Sequence, residues 1–160
     1  MSRASIAVVA AALTICGASP AFADATAFLG GNTTPDTRMV KGLAIGMGFT
    51  IFGVEVEYSV SDEDAAKALP GLKTGMVNAL IQTPVPLGRF QPYVTVGAGI
   101  YQETLGTHDE TSGGVNVGGG LKVKLVGPLR LRGDYRVFKL GSGALYSPTH
   151  RFYVGANLGF

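Results

Sequence analysis

The chain has 160 residues, of which 46% are apolar and only 15% are charged, with 24 glycines, no tryptophan and a single cysteine. This length fits one domain, the apolar content excludes intrinsic disorder, and a lone cysteine excludes a disulfide scaffold. A formal net charge of only +2, without a basic run, argues against nucleic acid as a partner.

The first 23 residues carry the features of a secretory signal peptide. Arg3 supplies the basic start, residues 6–15 form an apolar run too short to span a bilayer, and Ala21-Phe22-Ala23 is a small-x-small cleavage site. We therefore predict a signal peptide over residues 1–23 and a mature domain over residues 24–160. Two alternatives stay open: an uncleaved helical anchor, and a lipoprotein signal at Cys16, although the preceding residue is an isoleucine rather than a small residue.

After the signal, apolar and polar residues alternate with the period of two that is typical of β-strands. The alternation predicts eight strands, most of them close to the ~9–11 residues with which a tilted strand crosses a membrane. They cover residues 25–31, 40–50, 53–61, 72–83, 92–105, 114–126, 129–140 and 151–160.

The two faces of these strands differ in chemistry. In the third strand, Val54, Val56 and Tyr58 fall on one face, whereas Glu55 and Glu57 fall on the other. Small residues crowd the charged face of other strands, namely Gly42, Gly46, Gly48, Gly97, Gly99, Gly118 and Gly120. Small residues suit a narrow polar lumen, which favours a membrane barrel; a soluble, lipophile-binding barrel with an apolar interior stays the alternative.

The connections between the strands also alternate. Short turns are predicted at 51–52, 84–91 and 127–128, and longer polar loops at 32–39, 62–71, 106–113 and 141–150. Short turns at one end and long loops at the other are typical of bacterial outer-membrane barrels, with both chain ends on the periplasmic side. Within the second long loop, residues 65–69 are predicted to form a short helix that stops at Pro70.

The last strand carries a resemblance to known proteins. Its alternation Phe152, Val154, Ala156, Leu158 and Phe160, which closes on an aromatic residue, resembles the C-terminal signal read by the outer-membrane barrel assembly machinery. Residues 91–99 (QPYVTVGAG) and 151–155 (RFYVG) resemble strands of small opacity-type barrels, the eight-stranded family that includes the transmembrane domain of outer membrane protein A. The resemblance implies an all-β, eight-stranded antiparallel up-and-down transmembrane β-barrel in a Gram-negative outer membrane, with outer-membrane lipid and the assembly machinery as partners.

The charged face is predicted to form a polar network in the lumen. It comprises Glu55, Glu57, Lys122, Lys124, Arg130, Arg132, Asp134, Arg136 and Arg151. We expect the glutamates of the third strand to reach Arg130, Arg132 or Lys122 across a narrow barrel, because buried charges must pair. We interpret this network as a structural core. The alternative is a narrow ion path, in which the excess of bases over acids favours anions.

Aromatic residues near strand ends are predicted to form the interfacial girdles of the barrel. They are Phe49, Phe52, Tyr58, Phe90, Phe138, Phe152 and Phe160.

Catalytic and ligand-binding patterns are weak. Candidates for acyl hydrolysis are His108, Asp109, Glu110 and Ser112 in the third long loop, and Ser147 and His150 in the fourth, without the His-x-Ser spacing of lipid A deacylase barrels. Adjacent residues 108–110 rarely point at one metal ion, and the paired glycines lack a nucleotide fingerprint. We therefore predict no catalytic site, metal or cofactor, and a structural, envelope or adhesin-like role in which the outer loops bind a surface ligand.

Overall fold

The computed structural model describes residues 21–160, and most of the predicted signal peptide lies outside these residues. The signal peptide therefore stays a prediction, although its last three residues open the first strand. The strands are β1 (Ala21–Asn32), β2 (Arg38–Phe49), β3 (Phe52–Ser61), β4 (Gly71–Gln82), β5 (Phe90–Leu105), β6 (His108–Val126), β7 (Leu129–Leu140) and β8 (Thr149–Gly159).

Each strand pairs antiparallel with the next, and β8 returns to pair with β1, so that the sheet closes into a barrel in the order β1 to β8. The predicted eight-stranded up-and-down fold is confirmed. Among the described residues, no helix is long and apolar enough to span a membrane.

The connections define two ends of the barrel. The short-turn end carries 50–51, 83–89 and 127–128, and the long-loop end carries 33–37, 62–70, 106–107 and 141–148. In the second long loop, the predicted helix is a single 3-10 turn, Ala65–Lys67. The Asp64 carboxylate caps its N-terminus by accepting from the Lys67 N–H. The outline predicted from the polar segments is therefore confirmed at three of the four loops.

The third long loop is the exception, because β5 and β6 continue almost to its tip. The ladder runs to the pair Leu105↔His108, and Gly106 adopts a φ of +58°, which suits a tight turn. Polar residues such as Glu103 and Glu110 stay paired across this hairpin. The predicted loop 106–113 is thus wrong. Polar residues can pair in a β-ladder outside the membrane, so this segment continues the two strands as a projecting hairpin.

The two faces of the barrel are the predicted ones. Leu43, Val56 and Ile100 face outward and are more than half exposed, whereas Glu57 and Asn78 face inward and are fully buried. An apolar exterior around a polar interior is the opposite of a soluble lipophile-binding barrel, and that alternative is wrong.

Phe138 corrects the predicted aromatic girdle. It shares the inward row of β7 with Arg136 and is fully buried, whereas Tyr135 on the same strand faces outward. The other girdle residues Phe52, Tyr58, Phe90, Phe152 and Phe160 are about half exposed or more, and Phe49 is half-buried.

Candidate functional site

Arg132 on β7 lies at the centre of the lumen. Its guanidinium contacts both carboxylate oxygens of Glu55 on β3, and it donates to the Tyr93 hydroxyl at 2.7 Å and to Asp134 at 3.2 Å. The Tyr93 hydroxyl in turn donates to Asp134. Three strands, β3, β5 and β7, therefore converge on one fully buried cation, because the side chains of an eight-stranded barrel reach its axis.

Arg136 links this centre to the next layer of the lumen. Its Nη2 donates to Glu55 at 2.9 Å, its Nη1 lies 3.1 Å from Glu57, and its Nε donates to Asp134 at 2.8 Å. Each acid thereby serves more than one base, which shares the charges among neighbours. Sharing offsets part of the cost of removing these charges from water.

Arg151 on β8 closes the network towards the long-loop end. It donates to Glu57 and to Asn32 at 3.0 Å each, and its guanidinium lies 4.2 Å from the centre of the Phe138 ring. The alternation of β7 directs Phe138 into the lumen, and the cation–π contact with Arg151 stabilises the ring there.

Lys122 and Asp24 form the last pair, at the short-turn end. Lys122 Nζ lies 2.5 Å from Asp24 Oδ2, and both side chains are largely buried. The lumen network thus consists of four acids and four bases, Asp24, Glu55, Glu57, Asp134, Lys122, Arg132, Arg136 and Arg151.

This balance corrects the predicted excess of bases. Asp24 was missed, because the first strand was predicted to begin after it. Lys124 is exposed and Arg130 is half-buried at the short-turn end, so neither pairs with Glu55 or Glu57. The pair Lys124 and Arg130 lies two residues nearer the short-turn end than the pair Lys122 and Arg132. Without an excess of bases in the lumen network, the argument for anion preference no longer holds.

An apolar plug lies above the lumen network. Leu72, Met76, Tyr101, Phe138 and Leu140 form a single buried cluster inside the barrel, towards the long-loop end. The sequence offered one signal for it, since β4 carries apolar residues on both faces. Side chains of the network and of the apolar plug together fill the lumen along most of its length.

The long loops are tied to the barrel and to one another. The backbone N–H of Gly106 donates to Glu63 at 2.8 Å, and that of Leu145 donates to Glu103 at 2.6 Å. Arg38 donates to the Thr34 carbonyl at 3.1 Å. The contacts of Glu63 and Glu103 hold the acidic hairpin tip against the second and fourth loops, and that of Arg38 ties the first loop to β2.

Ser147 and His150 do not contact each other, since each has another partner. Ser147 accepts from the Leu140 N–H at 3.0 Å, whereas His150 Nδ1 lies 2.7 Å from the Tyr135 hydroxyl. Between residues 21 and 160, no cluster of three or more His, Cys, Asp or Glu side chains could hold a metal ion.

The residues of the predicted assembly signal line the outer face of β8. Phe152, Val154 and Leu158 are about half exposed, and Phe160 is more exposed still. Phe160 and Ala23 exchange two backbone hydrogen bonds of 2.9 Å, so the end of β8 is paired with β1. Recognition by the assembly machinery stays a prediction.

Comparison with known proteins identifies one matching family and several solved structures with a similar fold. A family model described as outer membrane protein beta-barrel domain matches residues 8–160. The structure is similar to the N-terminal barrel of Pseudomonas aeruginosa OprF, with a TM-score of 0.65 and 15% identity over 87% of this chain and 97% of that one.

Two further structures are similar in fold. Yersinia pestis Ail in complex with the heparin analogue sucrose octasulfate gives a TM-score of 0.56 and 11% identity over 88% of this chain and 98% of that one. The outer membrane enzyme PagL gives a TM-score of 0.52 and 12% identity over 84% of this chain and 98% of that one. No curated protein sequence matches the chain.

Proposed function

Because the chain belongs to the family of outer membrane protein beta-barrel domains, we propose that it is a closed outer-membrane barrel that presents its long loops to ligands at the cell surface. The observation that carries this proposal is the filled lumen, in which the four acids and four bases of the network lie beneath the apolar plug. The long loops would then face the exterior, and the short-turn end would face the periplasm.

The filled lumen favours surface contact over conduction. An ion crossing the barrel would have to separate Arg132 from Glu55 and Arg151 from Glu57, and then pass the plug residues Leu72 and Phe138. Leaving one charge of a buried ion pair uncompensated costs roughly 3–5 kcal/mol. A narrow channel, the alternative reading of the sequence, therefore has less support.

The charge of the long-loop end points to the kind of ligand. Its loops and hairpin tip carry six acids against one lysine, namely Asp36, Asp62, Glu63, Asp64, Asp109 and Glu110 against Lys67. The exposed lysines Lys41, Lys73 and Lys139 on the adjoining strand ends reduce this excess of acids but do not remove it. Most of these acids are exposed. Complementarity of charge therefore favours a basic ligand. The heparin analogue bound by Ail is a polyanion, so this chain would differ from Ail in its preference.

Binding of a basic polymer tests the proposal. The full chain is folded into phosphatidylcholine nanodiscs, which carry no lipopolysaccharide, and is titrated with polylysine and with heparin. We expect polylysine to bind in a salt-sensitive manner, and the variant Asp62→Asn/Glu63→Gln/Asp64→Asn to bind it about tenfold more weakly, because three charges of the contact are lost. The charge-retaining variant Asp62→Glu/Glu63→Asp/Asp64→Glu is the matched control and should bind like the wild type.

Two results would contradict the proposal. One is equal binding of polylysine by all three proteins; the other is a preference for heparin over polylysine. A band that shifts on boiling in a denaturing gel shows that each variant is folded.

Acyl hydrolysis, the enzymatic alternative raised by the sequence, has less support, although the outer membrane enzyme PagL is similar in fold. Ser147 is bonded to Leu140 and His150 to Tyr135, so neither is arranged as a nucleophile and its base. We propose that the chain is not an enzyme, and expect an unchanged lipid A mass spectrum when it is expressed in a Gram-negative host.

A further inference from the structure

Three basic side chains lie beyond the lumen network at the short-turn end. Arg89 directly precedes β5, Lys124 lies near the end of β6, and Arg130 lies near the start of β7. Lys124 and Arg130 are partners across the β6–β7 ladder, and the backbone N–H of Lys124 donates to the carbonyl of Arg89 at 2.8 Å. They form one cluster, the basic rim.

The basic rim has no acidic partner in the described part of the chain. None of the ion pairs among residues 21–160 includes Arg89, Lys124 or Arg130. The acids at this mouth are already engaged, since Asp24 pairs with Lys122 and Glu55 pairs with Arg132. Because the lumen network is balanced, the basic rim carries three uncompensated positive charges.

A cavity beside the basic rim leaves room for an anion. It has a volume of about 170 Å³ and is lined by Arg130, Lys122, Gln82 and Gln91, and also by Asp24 and Glu55, whose carboxylates are paired with Lys122 and Arg132. The Arg130 guanidinium lies over Gly159, where an added methyl group would fall 2.8 Å from Nη2. The guanidinium therefore has a defined place at the edge of this cavity.

Apolar side chains surround the basic rim on its outward side. In the turn 83–89, Val85 and Leu87 are about two thirds exposed, and Phe90 and Val126 on the neighbouring strand ends are more than half exposed. Exposed aliphatic groups in a turn that faced only water would gain nothing from this position. Unpaired cations next to exposed apolar groups instead match an amphiphile with an anionic headgroup.

We propose that the basic rim binds the phosphate of an anionic phospholipid in the inner leaflet of the outer membrane, with Val85 and Leu87 against its acyl chains. Phospholipid is favoured over a soluble anion because Phe90 directly follows Arg89, Leu125 directly follows Lys124, and both side chains are about half exposed. Exposed apolar side chains next to cations suit the headgroup layer of a membrane. The proposal concerns the end of the barrel opposite to the ligand-binding loops and does not depend on them.

Native mass spectrometry of the full chain tests this assignment. The folded protein is released from nanodiscs of phosphatidylcholine with a minor share of phosphatidylglycerol, and the retained lipids are counted. We expect the wild type to retain phosphatidylglycerol in preference to phosphatidylcholine. In the variant Arg89→Gln/Lys124→Gln/Arg130→Gln, the ratio of retained phosphatidylglycerol to phosphatidylcholine should fall at least about tenfold.

The matched control removes the same number of charges at the opposite end. The variant Lys41→Gln/Lys73→Gln/Lys139→Gln changes three exposed lysines near the long loops and should keep the preference. Both variants are checked for the band that shifts on boiling, which shows that the barrel is folded.

Three results would overturn the assignment. They are an equal retention of both lipids by the wild type, an equal loss in the two triple variants, and displacement of phosphatidylglycerol by inorganic phosphate or polyglutamate, which would indicate a site for soluble anions.

Discussion

The guanidinium of Arg132 crosses the barrel and contacts both carboxylate oxygens of Glu55. The two residues lie on β7 and β3, which are separated by three strands in either direction around the sheet. The contact therefore joins opposite walls of the barrel. Ladder hydrogen bonds connect neighbouring strands only, so this ion pair braces the barrel in a direction that the sheet cannot.

We expect Glu55→Ala to destabilise the barrel by about 3–5 kcal/mol, because the buried guanidinium groups of Arg132 and Arg136 would lose the carboxylate that they share. Urea unfolding in lipid vesicles measures the loss. Asp62→Asn is the control, since the exposed Lys41–Asp62 pair is separated by 3.8 Å and should contribute less than about 1 kcal/mol. Equal effects of the two changes would contradict the cross-barrel brace.

Two glycines give a matched test of lumen packing. A Cβ added at Gly120 would overlap the Tyr93 hydroxyl and the Gly133 carbonyl, whereas a Cβ added at Gly133 meets nothing within 4 Å. We expect Gly120→Ala to cost roughly 1–3 kcal/mol by overpacking, and Gly133→Ala to be neutral or to stabilise by up to about 1 kcal/mol. The same unfolding measurement checks both, and a larger loss at Gly133 would refute the packing described for Tyr93.

Phe138 faces the lumen and Phe152 faces outward, so the two residues allow a comparison of the two faces of the barrel. Phe138→Ala would open a cavity beside Arg151 and the apolar plug, with an expected loss of about 3–5 kcal/mol. Phe152→Ala should cost less, because lipid fills the space left on the outer face. Midpoints of the shift on boiling rank the variants. A larger loss of stability in Phe152→Ala than in Phe138→Ala would contradict the inward position of Phe138.

The assembly signal predicts a defect that depends on the cell. Phe160→Ala should lower the amount of folded barrel in the outer membrane of a Gram-negative host but leave spontaneous folding into vesicles unchanged. Phe90→Ala, an exposed aromatic at the same end of the barrel outside the last strand, is the control and should assemble normally. Equal yields of both variants in cells would remove Phe160 from the assembly signal.

The fold could be predicted from the sequence because a membrane-spanning strand has one chemistry on each face. The alternation around Val54, Glu55 and Val56 fixed both the strand and its orientation, and lipid on one side leaves little room for exceptions. The third long loop was misjudged because strands outside the membrane carry polar residues on both faces. At Glu103 and Glu110 the local pattern no longer distinguishes a loop from a hairpin.

The lumen was predicted less well than the strands. Alternation places Arg132 and Arg136 inside the barrel, but the depth of each residue depends on the stagger of neighbouring strands. Lys124 and Arg130 alternate in phase with Lys122 and Arg132, yet Lys124 is exposed, Arg130 is half-buried, and neither joins the ion pairs of the lumen network. Phe138 is aromatic and near a strand end, like a girdle residue, but it alternates in phase with Arg136 and therefore faces inward, where it contacts Arg151.

The most direct test of the closed lumen is the conductance of the folded wild-type chain in a planar bilayer. A band that shifts on boiling first establishes that the inserted protein is a folded barrel. The account predicts no unitary current steps, because paired charges and the apolar plug fill the lumen. Stable unitary steps that change in Arg132→Ala would contradict it and would make the chain a narrow channel.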